Sequence, residues 1–199
     1  MPAFAEGETG VVLVTGASSG VGECVARDWA AKGWRVAAMA RRAELLEEMV
    51  RPGLLACPPI PPQPPHGTSR SPDSPLLQAA DPATLGNILP LPCDVADSAA
   101  VVAAVARVEA ELGAIDVLIL NAAVGHPPKP FWETSIDDVD SVIDVNLKGV
   151  MYTAHAVLQG MIQRDRGHIF GIASVAGTHG IPTQSICALP TLAHRLISR

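Results

Sequence analysis

The chain predicts an α/β fold, a doubly wound parallel sheet, on three observations. Short apolar stretches of strand length alternate with stretches of helical spacing. The first of them, Val11-Val12-Leu13-Val14, is apolar throughout, as a strand covered on both faces requires. It runs through a glycine-containing turn into a helical stretch, Glu23 to Lys32, which Gly33 stops. With 199 residues the chain can bury a substantial core, and one domain spanning 1–199 is expected.

The turn reads Thr15-Gly16-Ala17-Ser18-Ser19-Gly20-Val21-Gly22. A strand that turns through glycines into a helix aims several backbone N–H groups and a positive dipole end at one point, an arrangement that suits a phosphate. Glycine is required where a Cβ would block a pyrophosphate or the helix–strand contact. Gly16, Ser18, Ser19, Gly20, Val21 and Gly22 are therefore candidate cofactor-binding residues. The second apolar strand, Trp34 to Ala40, ends in Arg41-Arg42. An acidic residue there would suit the ribose hydroxyls of NAD, whereas a guanidinium suits a 2′-phosphate, so the expected cofactor is NADP, held in part by Arg41 and Arg42.

Ala43 to Val50 reads as a short helix, after which the composition changes. Arg51 to Pro92 holds 12 of the 18 prolines. Proline removes donors and forbids regular helix, so 51–87 is expected to be an extended or disordered insertion outside the core. Ile88 to Pro92 reads as the third strand, Asp97 to Leu112 as a helix stopped by Gly113, and Ile115 to Leu120 as the fourth strand. Val139 to Arg164 reads as one long, mostly helical stretch, and Gly167 to Ala173 as the fifth strand.

Composition excludes several classes. Lys and Arg total 14 against 20 Asp and Glu, a net charge of -6, which disfavours nucleic acid as a partner. The start lacks a basic region followed by an apolar run, and no apolar stretch is long enough to span a bilayer. Cys24, Cys57, Cys93 and Cys187 show no C-x-x-C spacing and read as reduced thiols, and the six histidines show no metal-ligand spacing. The expected location is cytoplasmic, with no membrane partner and no metal.

The turn resembles the T-G-x-x-x-G-x-G turn of the short-chain dehydrogenase/reductase family, and four later stretches match that family in order. They are Asp94-Val95, Leu120-Asn121-Ala122-Ala123, Val145-Asn146-Leu147-Lys148-Gly149 and Ile172-Ala173-Ser174-Val175-Ala176-Gly177. The resemblance covers about Val11 to Ile186 without the proline-rich insertion. It implies a Rossmann-type NADP-binding domain and hydride transfer between the nicotinamide and a small alcohol or carbonyl. It further implies that Asp94 and Val95 lie around the adenine, that Asn121 and Ala122 border the cofactor, and that Asn146 and Ser174 are catalytic. A finer likeness, in Gly22-Glu23-Cys24 and Met161 to Ile169, is to the branch acting on short 3-hydroxy acids such as serine.

The family's proton donor is a Tyr with a Lys four residues later, the cation lowering a phenol pKa of about 10. The family's spacing places these roles on Cys187 and Thr191, and the only tyrosine of the chain is Tyr152. Pro190 stands where the helix of that pair would run, and an interior proline costs about 3 kcal/mol. The expectation is a C-terminally incomplete fold from a truncated or alternatively read product, without the family's homo-oligomer interface. The alternative to an active oxidoreductase is a catalytically inactive NADP-binding pseudoenzyme or a non-functional truncated isoform.

Overall fold

β1 (Val11–Thr15) lies at the centre of the sheet, and all five of its residues are buried. The structure, a computed structural model, describes residues 7–51, 87–174 and 183. Around β1 stand β2 (Arg35–Ala40), β3 (Ile88–Pro92), β4 (Ile115–Leu120) and β5 (His168–Gly171), all parallel, in the order β3-β2-β1-β4-β5. The helices are α1 (Gly20–Ala31), α2 (Ala43–Met49), α3 (Ser98–Glu111), α4 (Ile136–Ile143) and α5 (Val150–Gln163). This is the doubly wound sheet that the alternation predicts.

Successive residues of a strand point to opposite faces, so each strand feeds two cores. Val11 and Leu13 join Val105 and Val108 of α3 and Ala154 and Val157 of α5 on one face. Val12 and Val14 join Ala26 and Ala30 of α1 and Leu46 and Met49 of α2 on the other. A continuous apolar run is therefore needed on β1 and would be an error on a half-covered strand.

Several boundaries differ from the sequence expectation, each for a physical reason. α1 begins at Gly20 and not at Glu23, because the glycines of the turn already take part in its first turn. The long stretch expected as one helix from Val139 is α4, a π-helical turn over Asp144–Gly149, and α5. Within that turn Gly149 packs so closely on the 95 region that a Cβ would lie 2.7 Å from Val95 Cγ2. β5 covers only His168–Gly171 of the expected Gly167 to Ala173. The insertion expected at 51–87 lies outside the described residues except for Arg51 and Asn87, and Cys187 and Thr191 lie outside them too.

β3 carries two prolines yet pairs with β2 along its length. The N–H of Val36 donates to Asn87 O, and the N–H of Cys93 donates to Ala40 O. In a parallel ladder alternate residues point to one neighbour, so the odd-numbered positions of β3 face β2. Pro90 and Pro92 thus fall where the missing N–H would point away from β2, at the edge of the described sheet.

One cysteine reading is corrected. Cys24 on α1 is disulfide-bonded and not a reduced thiol, whereas Cys93 carries a free thiol. The missing C-x-x-C spacing does not by itself exclude a disulfide. No described helix is long and apolar enough to cross a membrane.

α3 is capped by Asp97, whose Oδ1 accepts from the N–H groups of Ala99 (2.9 Å) and Ala100 (3.0 Å). Asp97→Ala is expected to cost about 1 kcal/mol of stability, measured by urea unfolding, with no change in the slope of the transition.

Candidate functional site

The winding reverses between β1 and β4, and the loops leaving the C-terminal ends of β1, β2, β3 and β4 surround a cleft of about 310 Å³. In open parallel sheets this crevice is where ligands bind. Gly16, Ser18, Ser19 and Val21 line it from the glycine turn, and Arg41 and Arg42 from the end of β2. Val95, Asn121 and Ala122 complete the expected residues that border it.

The turn is packed against the end of β4. A Cβ on Gly16, whose φ is +67°, would lie 2.7 Å from Ala122 Cα. A Cβ on Gly22 would collide with Asn121 Nδ2 and the carbonyl oxygen of Gly16. Gly20 differs: its φ is +61°, yet a Cβ there would meet nothing within 4 Å. Gly16 and Gly22 are thus needed for packing, and Gly20 for backbone conformation. Thr15 Oγ1 accepts from the N–H groups of Asn121 (2.9 Å) and Ala122 (3.0 Å). Asn121 Nδ2 donates back to Thr15 O at 3.0 Å.

Arg42 Nη2 donates to Ser18 Oγ (2.9 Å) and Ser19 Oγ (2.7 Å). Ser19 is the N-cap residue of α1 but makes no side-chain cap bond, its hydroxyl being turned toward Arg42. Among the described residues the first N–H groups of α1 therefore have no side-chain cap, and a fixed guanidinium stands beside them. Such a donor set fits a phosphate-bearing dinucleotide.

Five expected residues are not among those lining the cleft: Gly20 and Gly22, which shape the turn, and Asp94, Asn146 and Ser174. Asp94 turns back on its own loop, with Oδ1 accepting from Ala96 N at 3.0 Å. Asn146 sits in the π-helical turn and holds both polar groups of Val124. Its Oδ1 accepts from Val124 N, and its Nδ2 donates to Val124 O, each at 2.8 Å. Since Val124 lines the cleft, Asn146 supports a wall of it. Ser174 is exposed, three residues beyond the end of β5.

Sequence reasoning missed Thr15, whose hydroxyl joins the two central strand ends, although it precedes the first glycine of the turn. It also missed Cys93, Ala123, Val124 and Val145, which line the cleft beside residues that were singled out. Burial, with Asp94 and Asp97 adding to it, pushes the Cys93 thiol up to about 11. The described residues hold no cluster of His, Cys, Asp and Glu suited to a metal ion.

Comparison with known proteins agrees with this geometry. The short chain dehydrogenase family profile matches residues 10–52 and 70–188, and the chain belongs to that family. It is 34% identical over 168 residues to the NADP-dependent 3-hydroxy acid dehydrogenase of Salmonella typhi, covering 84% of this chain and 55% of that protein. It is 31% identical over 188 residues to an uncharacterized short-chain type dehydrogenase/reductase of Sinorhizobium fredii, covering 94% of this chain and 60% of that one. The chain thus spans little more than half the length of these curated relatives. Among solved structures, the closed form of serine dehydrogenase complexed with NADP+ superposes with a TM-score of 0.75 at 30% identity, over 94% of this chain and 62% of that one.

Two outcomes follow from these contacts. Asn146→Ala leaves Val124 N–H and C=O without partners and is expected to cost about 1–3 kcal/mol, with faster hydrogen exchange confined to the wall around Val124. The raised Cys93 pKa means that the folded state favours the neutral thiol. Its contribution to stability is full below the ordinary cysteine value and is lost as pH rises through about 11. Alkylation of Cys93 in the folded chain should accordingly stay slow at pH 8, compared with the same chain in urea.

Proposed function

We propose that the cleft holds NADP and that the chain's reaction class is hydride transfer between the nicotinamide and a small alcohol or carbonyl. The substrate class favoured is a 3-hydroxy acid, because the 3-hydroxy acid dehydrogenase and serine dehydrogenase relatives carry that chemistry in their names. One observation carries the cofactor reading: Arg42 is anchored on Ser18 and Ser19 at the rim of a glycine-walled cleft. A guanidinium held by two hydroxyls is pre-oriented and offers its remaining N–H groups to a 2′-phosphate, a group that NAD lacks. The first turn of α1 and Gly20 leave room for the pyrophosphate.

Bound NADP would supply the hydride acceptor or donor. The chain's own part is to bind, orient and exclude water. Thr15 and Asn121 hold the ends of β1 and β4 together beneath the cofactor. Asn146 fixes the Val124 wall, and Ser174, leaving the strand beside β4, is the candidate to hold the substrate oxygen.

A second reading, cofactor binding without appreciable turnover, is favoured by the placement of the single tyrosine. Tyr152 lies on α5 and packs against the hydrophobic core, and no tyrosine or lysine is among the described residues lining the cleft. Lys148 is committed to Asp144 at 2.7 Å. A cleft without a positioned general acid would lose about 10²–10⁴-fold in rate.

NADPH and NADH titrations of the full chain test the cofactor reading. NADPH is expected to bind more tightly and to raise the melting temperature. Arg42→Ala is expected to weaken NADPH by roughly 10- to 100-fold while changing NADH little. No saturable NADPH binding, or equal loss for both nucleotides, would sink it. Turnover of serine with NADP then separates the two readings: a rate above background favours the oxidoreductase, and intact binding without a rate favours the pseudoenzyme.

A further inference from the structure

The surface between β4 and the π-helical turn carries an unusual combination. Phe131 and Trp132, in a 3-10 turn over Phe131–Glu133, are 60% and 83% exposed, and Ile136, the first residue of α4, is 71% exposed. Single exposed apolar residues are ordinary, but three large ones within six positions form a patch that calls for a partner. Acidic residues surround them. α4 turns Val142 to the protein and leaves Ile136, Asp137, Asp140 and Ser141 on its exposed side. Glu133 is exposed beside Trp132.

The charges there are unbalanced. Asp138 is matched by Lys129 at 3.9 Å, and Asp144 by Lys148 at 2.7 Å. Glu133, Asp137 and Asp140 make no ion pair among the described residues. Asp140 acts on Lys148 only at longer range. The helix dipole accounts for an acid in the first turn of α4, at Asp137, but not for Glu133 or Asp140.

We propose that this surface docks a basic, partly apolar segment of another protein. Lysine or arginine side chains would lie over the Trp132 indole and pair with Glu133, Asp137 and Asp140, while apolar side chains cover Phe131 and Ile136. Charge complementarity selects this occupant. An anionic membrane would accept the aromatic residues but is repelled by the three carboxylates. None of these residues lines the nucleotide cleft, and the proposal holds whether or not the chain turns over a substrate.

The test is anisotropy of a labelled short peptide of alternating lysine and leucine, titrated with the full chain at low and high salt. A glutamate–leucine peptide serves as the charge control. Saturable binding of the lysine peptide that weakens with salt, and none of the glutamate peptide, is expected. Trp132→Ala should bind about tenfold more weakly with an unchanged melting temperature, since the side chain is mostly exposed. The triple variant Glu133→Gln, Asp137→Asn, Asp140→Asn should lose most of the salt dependence. Val102→Ala, at an exposed apolar position on α3, should bind like the parent. The proposal is overturned by equal binding of both peptides, by Trp132→Ala binding like the parent, or by an equal loss in Val102→Ala. Self-association of the full chain that Trp132→Ala abolishes would also overturn it, in favour of a second copy.

Discussion

The contact between the turn after β1 and the end of β4 sets the position of everything around the cleft. Thr15 Oγ1 receives two backbone N–H groups from the loop after β4, and Asn121 returns an amide bond to Thr15 O. These bonds close only because Gly16 and Gly22 bring no side chain into the gap. A methyl group at either place would push the two strand ends apart, and the crevice between them would lose its shape. Hydrogen bonding and the missing Cβ atoms are thus one constraint, satisfied together or not at all.

That constraint is transmitted outward in two directions. Along α1, it leaves the first N–H groups facing the cleft, with the Ser19 hydroxyl drawn off to Arg42. Along the loop after β4, it delivers Val124 to the side-chain amide of Asn146. The π-helical turn that bears Asn146 is the cost of that meeting. Its wider turn interrupts the regular ladder between α4 and α5 and lets Gly149 come down on Val95. Two walls of the cleft, from far-apart parts of the chain, are in this way fixed against each other.

Much of this was legible in the sequence, for identifiable reasons. The strands and their parallel order follow from apolar runs broken by helical spacing, and the glycine turn announces itself because only glycine tolerates those contacts. Arg41 and Arg42 were found through their charge, but which of them is anchored depends on where Ser18 and Ser19 point, and spacing does not hold that information. The division of α4 from α5 was invisible because a π-helical turn has the same apolar pattern as the helices beside it. Asp94 matched a family position, and one oxygen of its carboxylate accepts a backbone N–H within its own loop. The Cys24 disulfide was missed because the spacing of cysteines along the chain does not show which of them pair.

The two prolines of β3 have a consequence for how molecules of this chain meet one another. A strand at a sheet margin normally offers alternating donors and acceptors, a template for any extended segment that drifts alongside. On β3 the outward donors at positions 90 and 92 do not exist. An incoming strand would find carbonyls and no matching N–H groups there, and its own carbonyls would be left unsatisfied. Edge-to-edge stacking along positions 90 and 92 is disfavoured by the covalent structure of two residues.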